Sequence, residues 1–216
     1  MSGAPRLRIS EVFLSIQGES TRVGLPTVFV RLTGCPLRCV WCDTSYAFQG
    51  GETVSLPTLL ERIASLRCNT VCITGGEPLA QPASLILLTA LCDAGYSVSL
   101  ETSGALDISA VDPRVSRIVD LKAPGSGEAG KNRWENLSVL RPTDEVKIVI
   151  ASREDYDWAK SVLDARRLAE KCPVLFSPVA DRMPPAQLAE WILADRLPVR
   201  LQLQLHKLLW GNERGR

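Results

Sequence analysis

The sequence predicts an α/β fold in which parallel strands are joined by crossover helices. Three observations carry that prediction. Short β-branched runs alternate with segments of helical apolar spacing. Several of the helical segments carry recognisable start or stop residues. Polar, glycine-containing loops follow the strands directly, where α/β folds gather their functional groups.

Each element has its own reason. TVFVRLT (27–33) is short and β-branched and leads straight into a cysteine-rich loop. SLPTLLERIASL (55–66) has helical apolar spacing, with Ser55 as N-cap and Pro57 in the first turn. VCIT (71–74) reads as a buried strand ending at Gly75-Gly76. QPASLILLTALCDAGY (81–96) is helical and closes at Gly95. SVSLET (97–102) and SRIVDLK (116–122) are strands, the second followed by the polar loop APGSGEAGKN. EVKIVI (145–150) is a strand and REDYDWAKSVLDARRLA (153–169) a helix. PVLFS (173–177) is a strand and PAQLAEWILADR (185–196) a helix. VRLQLQL (199–205) closes the series as a strand with one polar face. Parallel strands of this number fit either an open barrel or a doubly wound sheet. In both, the cysteine loop, GGEP, ETSG and DLKAPGSG share the rim at the strands' carboxyl ends.

The 216 residues suffice for one good-sized core, so a single domain is expected. A net charge of +1, with no basic run carrying interleaved aromatics, gives no sign of nucleic acid or an anionic membrane as partner. No apolar stretch reaches the roughly 18 residues of a membrane helix. MSGAPRLRISEVF lacks the apolar segment of a secretory signal, so a cytoplasmic location is expected. No internal repeat or low-complexity segment is present.

The chemistry starts at GCPLRCVWCDT (34–44), where Cys35, Cys39 and Cys42 fall within eight residues. Seven cysteines, an odd number, fit poorly with a disulfide framework. The other four, Cys68, Cys72, Cys92 and Cys172, sit singly among apolar residues and read as small hydrophobes. Cys68 and Cys72 also form a C-x3-C pair that could join the first cluster around zinc. A structural zinc site is tetrahedral and closed, and His206, the only histidine, is far away in sequence. A cubane iron–sulfur cluster takes one thiolate per iron, so three thiolates leave one iron open to a ligand. Gly34 and Pro36 help one tight loop reach three corners. From the residues alone, a site-differentiated cluster, zinc and coincidence all stand.

C-x3-C-x2-C with Trp41 just before the third cysteine resembles the signature of the radical S-adenosylmethionine enzymes. Thr74-Gly75-Gly76-Glu77-Pro78 is similar to that superfamily's GGE segment. Its glycines let backbone carbonyls approach a cofactor amine, and its glutamate adds negative charge. Within the superfamily, the chain most resembles the 7-carboxy-7-deazaguanine synthase family, from about residue 9 to residue 209. The specific points are EVFLSIQGES, RLTGCPLRCVWCDT, TGGEP, ETSG, DLK, EVKIV and QLHK.

The resemblance implies an open partial (β/α) barrel and a homodimer. It implies a lyase that converts 6-carboxy-5,6,7,8-tetrahydropterin to 7-carboxy-7-deazaguanine with loss of ammonia, on the way to queuosine. It implies a [4Fe–4S] cluster, S-adenosyl-L-methionine and Mg2+, with flavodoxin or ferredoxin as electron donor. A 5′-deoxyadenosyl radical would take hydrogen from C6 of the pterin, and ring contraction would follow. Carried onto this chain, Cys35, Cys39 and Cys42 hold the cluster. Trp41, Cys42, Asp43, Gly76, Glu77, Glu101, Ser103, Lys122 and Ser177 meet S-adenosylmethionine. Ile16, Gln17, Gly18, Glu19, Arg31, Thr74 and His206 face the pterin, and Thr44 is the Mg2+ ligand.

Physical chemistry bears on several of these. The pterin's guanidine-like edge suits Glu19 and Gln17, and its carboxylate suits the Arg31 fork. Mg2+ keeps several waters and needs few protein oxygens. Each residue also has a plainer reading. Arg31 could form an ion pair only, His206 could be structural and Thr44 could be a turn residue. The tail GNERGR past Trp210 is polar and expected to be mobile, so it is assigned no contact with the pocket. Two other functions remain: a glycyl-radical enzyme activating protein, and a zinc-stabilised interaction module.

Overall fold

Side-chain alternation along the strands decides what this fold encloses. A computed structural model describes residues 4–216, which form one nine-stranded sheet. The strands are β1 (Arg6–Ile16), β2 (Pro26–Leu32), β3 (Glu52–Ser55), β4 (Thr70–Gly75) and β5 (Ser97–Thr102). They continue with β6 (Ser116–Leu121), β7 (Glu145–Ile150), β8 (Val174–Pro178) and β9 (Arg200–Leu201). The helices are α1 (Leu56–Ser65), α2 (Ala83–Asp93), α3 (Arg153–Ala165), α4 (Pro185–Asp195) and α5 (Leu205–Trp210).

The sheet order is β3-β1-β2-β4-β5-β6-β7-β8-β9. From β2 to β9 every neighbouring pair is parallel and the order never reverses. A doubly wound sheet reverses at a switch point, so this is the open partial (β/α) barrel. Right-handed crossovers that always step the same way put their helices on one face. The other face is left concave.

All four predicted crossover helices form, and α1 and α3 begin at side-chain caps. Ser55 accepts a hydrogen bond from Thr58 N at the start of α1, with Pro57 in the first turn. Ser152 caps α3 through Asp155 N. Leu59 and Ile63, one helical turn apart, are both fully buried. Under the helices, Val28, Val30, Leu32, Val71, Ile73, Leu100, Val119, Leu121, Ile148 and Ile150 form the apolar layer of the sheet. Among the described residues no helix is long and apolar enough to cross a membrane.

The structure corrects the expectations at both ends of the sheet. The N-terminal strand β1 and the short β3 extend it antiparallel to β2. β1 breaks its own alternation with a bulge between Ile9 and Glu11, which obscures the period-two pattern. At the other end the strand expected over 199–205 is only Arg200–Leu201. Its alternation has the opposite sense to a core strand: Gln202 is buried while Leu201 and Leu203 are exposed. β9 is the sheet edge, so nothing pairs beyond it, and the chain turns into α5.

Candidate functional site

One cavity of about 800 Å3 opens at the carboxyl ends of the parallel strands. Pockets for drug-sized ligands run to roughly 300–1,000 Å3, so this one is large enough for a ligand of substantial size. Strand parity explains its wall. Residues 28, 30, 32, 73, 100, 119, 148 and 150 face the helices, so their neighbours face the cavity. Those neighbours are Arg31, Thr74, Glu101, Asp120, Lys147 and Val149. Register sets them side by side: Arg31 pairs with Thr74, Asp120 with Lys147, and Val149 with Ser177.

The cysteine loop closes one side. Cys35, Cys39 and Cys42 are all half-buried, unpaired and on the cavity wall. Gly76 N donates to Leu32 O at 3.1 Å, and Glu77 N donates to Gly34 O at 2.7 Å. A Cβ on Gly76 would collide with the Gly34 carbonyl and Cys35 Cβ. The glycine therefore lets the segment after β4 lie directly on the cysteine loop. Burial pushes the Cys35 and Cys39 thiols up, although Lys122 nearby draws both down. Among the described residues, no three His, Cys, Asp or Glu side chains are spaced for a single ion. The three thiols are thus not gathered as in a closed zinc site. They fit a cluster that takes one thiolate per iron, and binding it would release their protons.

The turn between β1 and β2 adds Gln17 and Glu19 to the cavity wall. Gln17 N donates to Leu25 O at 2.8 Å, and Glu145 accepts Thr21 N at 3.0 Å, which fixes this turn against β7. Gln17 Oε1 accepts Glu19 N at 3.1 Å, and Thr74 Oγ1 donates to Glu101 at 2.9 Å. Glu19 Oε2 receives the Lys147 ammonium at 2.7 Å, and its Oε1 receives Gln204 Nε2 at 2.7 Å. Burial alone would raise the Glu19 pKa, but Lys147 and the Gln204 bond hold it below the usual range. His206 sits beside this turn, and burial lowers its pKa.

Arg31 makes both of its expected contacts possible. Its Nε donates to Glu11 at 2.6 Å, the ion pair of the plainer reading. That bond leaves the fork's outer nitrogens for a ligand, and Arg31 lines the cavity. Burial works against its charge, but Tyr46 and Glu11 outweigh it and raise the pKa. Thr44 lines the cavity with its hydroxyl bonded to Asp43 Oδ1 at 3.0 Å. Asp43 itself pairs with Lys207 at 2.7 Å.

Of the residues expected at the site, Ile16, Trp41, Asp43, Gly76, Glu101, Ser103, Lys122, Ser177 and His206 also line this cavity. Two do not. Glu77 is fully buried and accepts hydrogen bonds from Leu79 N, Thr102 Oγ1, Ser103 N and Ser103 Oγ. It shapes the loop that carries Ser103, and its side chain turns away from the cavity. Gly18 is buried beneath His206, where a Cβ would strike the imidazole, and its carbonyl accepts Leu205 N at 3.0 Å. It is the seat of α5. Cys72 is buried in β4 and Cys68 donates to Pro26 O, so neither joins the cysteine loop.

The structure adds Asp120, Lys147, Tyr46, Gln204 and Lys207 to the wall. Asp120 and Lys147 were within reach of sequence reasoning, because their strands' apolar alternation assigns them to the opposite face. The tail also differs from expectation. Residues 211–216 border the cavity, and the Arg214 guanidinium lies 3.9 Å from the Tyr46 ring centroid.

Comparison with known proteins agrees with this geometry. The sequence profile of the Radical SAM superfamily matches residues 29–168. The 7-carboxy-7-deazaguanine synthase of Chlorobaculum tepidum is 47% identical over 214 residues, covering 98% of this chain and 97% of the relative. That of Koribacter versatilis is 42% identical, covering 96% and 98%. The crystal structure of QueE from Escherichia coli superposes with a TM-score of 0.76 at 26% identity, covering 93% of this chain and 95% of that one. Streptococcus suis SuiB bound to S-adenosylmethionine, at 13% identity and a TM-score of 0.57, shares the fold. On this identity and coverage, the chain belongs to the 7-carboxy-7-deazaguanine synthase family within the Radical SAM superfamily.

Proposed function

We propose that this protein is a radical S-adenosylmethionine lyase that converts 6-carboxy-5,6,7,8-tetrahydropterin to 7-carboxy-7-deazaguanine and ammonia. One observation carries the reading. A single cavity is lined by the three-cysteine loop together with Glu19 and Arg31. Cys35, Cys39 and Cys42 would hold a [4Fe–4S] cluster beside S-adenosylmethionine. Together, when bound, these groups supply the one-electron chemistry that starts the reaction.

The chain's own residues bind and orient. Glu19 and Gln17 meet the aminopyrimidine edge, and the outer nitrogens of Arg31 meet the substrate carboxylate. Thr74 and Glu101, hydrogen-bonded to each other, are both on the cavity wall, where Thr74 would face the pterin and Glu101 S-adenosylmethionine. Ser103, fixed by Glu77, and Lys122, paired with Asp120 at 3.0 Å, would meet S-adenosylmethionine. The stacked Phe13 and Phe29 rings, 5.2 Å apart, put an apolar surface beside Arg31 and help exclude water. Holding the reacting carbon close to the cofactor is the protein's main contribution to rate.

Finer parts of the reading rest on the family resemblance. Thr44 is the protein ligand to Mg2+, flavodoxin or ferredoxin is the electron donor, the location is cytoplasmic and the chain works as a homodimer. Exposed Leu201, Leu203, Leu208 and Leu209 around the open edge support pairing with a second copy. The test is an anaerobic assay with the carboxypterin, S-adenosylmethionine and a reductant, read by mass spectrometry. Product should form, and Cys39→Ala should abolish it together with cofactor cleavage. Thr44→Val should lose only the response to added Mg2+, and sedimentation should give twice the monomer mass. Absence of product from an iron-replete enzyme that still cleaves S-adenosylmethionine would sink the substrate assignment.

A further inference from the structure

The back wall of the cavity is a row of alternating charges: Glu19, Lys147, Asp120 and Lys122. All four side chains are at least partly buried, with exposures of 13%, 14%, 17% and 17%. Lys147 is the centre of the row. Its ammonium is 2.7 Å from Glu19 Oε2 and 3.5 Å from Asp120 Oδ2. Asp120 Oδ1 is buried without a hydrogen-bond partner, so that carboxylate depends on Lys122 and Lys147. The placement of Lys147 follows from sheet register, which pairs it with Asp120 across β6 and β7.

We infer that Lys147 is a positioning residue for substrate recognition: it keeps Glu19 anionic and aimed at the aminopyrimidine edge. The inference rests on the reading of Glu19 given above. Each Glu19 oxygen already accepts one protein donor, Gln204 on Oε1 and Lys147 on Oε2. A carboxylate oxygen has two lone pairs, so one remains on each for a ligand presenting two parallel N–H groups. The existing bonds therefore orient the carboxylate without saturating it.

The other groups around Glu19 cannot replace Lys147. Gln204, just before α5, is neutral. Asp43 on the cysteine loop works against the Glu19 charge, and Asp120 and Glu101 on β6 and β5 carry the same sign. Lys207 on α5 is committed to Asp43 at 2.7 Å. His206 on α5 has its pKa lowered by burial. Lys147 is thus the one cation hydrogen-bonded to Glu19 among the described residues. Without it, burial would raise the Glu19 pKa, and the carboxyl would take up a proton in mildly acidic solution. A protonated Glu19 has turned one acceptor into a donor facing the ligand's own donors.

The test is substrate titration of cluster-loaded enzyme with S-adenosylmethionine and no reductant, from pH 5.5 to 8.5. Comparison with wild type cancels the titration of the pterin and of His206. The wild-type profile should carry that shared background and no step from Glu19, which remains ionised throughout. Lys147→Met should bind best at the alkaline end and lose further affinity relative to wild type as pH falls, by about tenfold per unit below the raised pKa. Lys147→Arg keeps the charge and should restore the wild-type profile. Glu19→Gln should be weak with the same background profile, and adding Lys147→Met to it should change nothing further. A pH-independent loss in Lys147→Met, or none, would overturn the inference and leave Lys147 a structural counter-ion. If Lys147→Met does not fold, a Lys147→Arg enzyme with a steeper profile than wild type does the same. If Glu19→Gln binds as tightly as wild type, the failure belongs to the reading of Glu19 instead.

Discussion

At the scale of single residues, the division is between side chains that reach a ligand and those that hold others in place. Glu77 belongs to the second kind. Four donors converge on a carboxylate with no exposure, two of them from Ser103. Glu77→Gln replaces one acceptor oxygen by an NH2 that faces those donors. It should cost about 1–3 kcal/mol, the penalty of leaving a buried polar group unpaired. Ser103 should also lose its fixed position. Urea unfolding and S-adenosylmethionine titration should both change, and wild-type stability in the variant would remove this role. The cysteine loop was legible in the sequence because its three ligands lie within eight residues and their spacing is local information. The direction of the Glu77 side chain was not legible, for a related reason. The residue adjoins two glycines at the cavity, but its side chain turns into the protein, and sequence adjacency does not fix side-chain direction. Asp120 and Lys147 needed strand parity, which residue-by-residue motif reading does not apply.

At the scale of elements, the parallel strands and their four crossover helices followed from β-branched runs and helical apolar spacing. The ends of the sheet did not. β1 carries a bulge, β3 has four residues, and β9 is an edge with inverted polarity, so each lacks the regular pattern. α5 depends on a distant contact: Gly18 O accepts Leu205 N, and Gly18 gives His206 its space. Gly18→Ala would push a methyl against the imidazole and the helix backbone, an overpacking that costs about 1–3 kcal/mol. α5 should move away from the turn at Gln17, weakening substrate binding. S-adenosylmethionine affinity should stay near wild type, because its expected contacts lie on other loops. Paired titrations of the two ligands check this, and equal losses for both would show a general defect instead.

At the scale of the whole molecule, stability in acid should depend on one buried cluster outside the site. The fully buried Asp144 accepts hydrogen bonds from Arg117 Nε at 3.1 Å and Arg141 Nη2 at 2.8 Å, as well as from both backbone amides. Burial would raise its pKa, but the two guanidiniums and the amides outweigh it and bring it to about 2. An unfolded aspartate titrates near 3.9, so the folded value is the lower one. The associated stability is complete above about pH 4 and is lost as pH falls towards 2, about 2–3 kcal/mol in all. Asp144→Asn should therefore be less stable at pH 7 and lose less stability than wild type between pH 4 and 2. Denaturant melts at these pH values test it, and parallel slopes would refute it. The bond from Gln204 to Glu19 spans 185 positions of chain, and Leu205 closes on Gly18 over a similar distance. Synthesis runs from the N-terminus, so the turn at Gln17 emerges from the ribosome long before its partners at 204–207. The three cysteines can therefore be available for iron while the substrate end is still unmade. The pocket is enclosed only once the last residues of the chain have folded back onto the first turn.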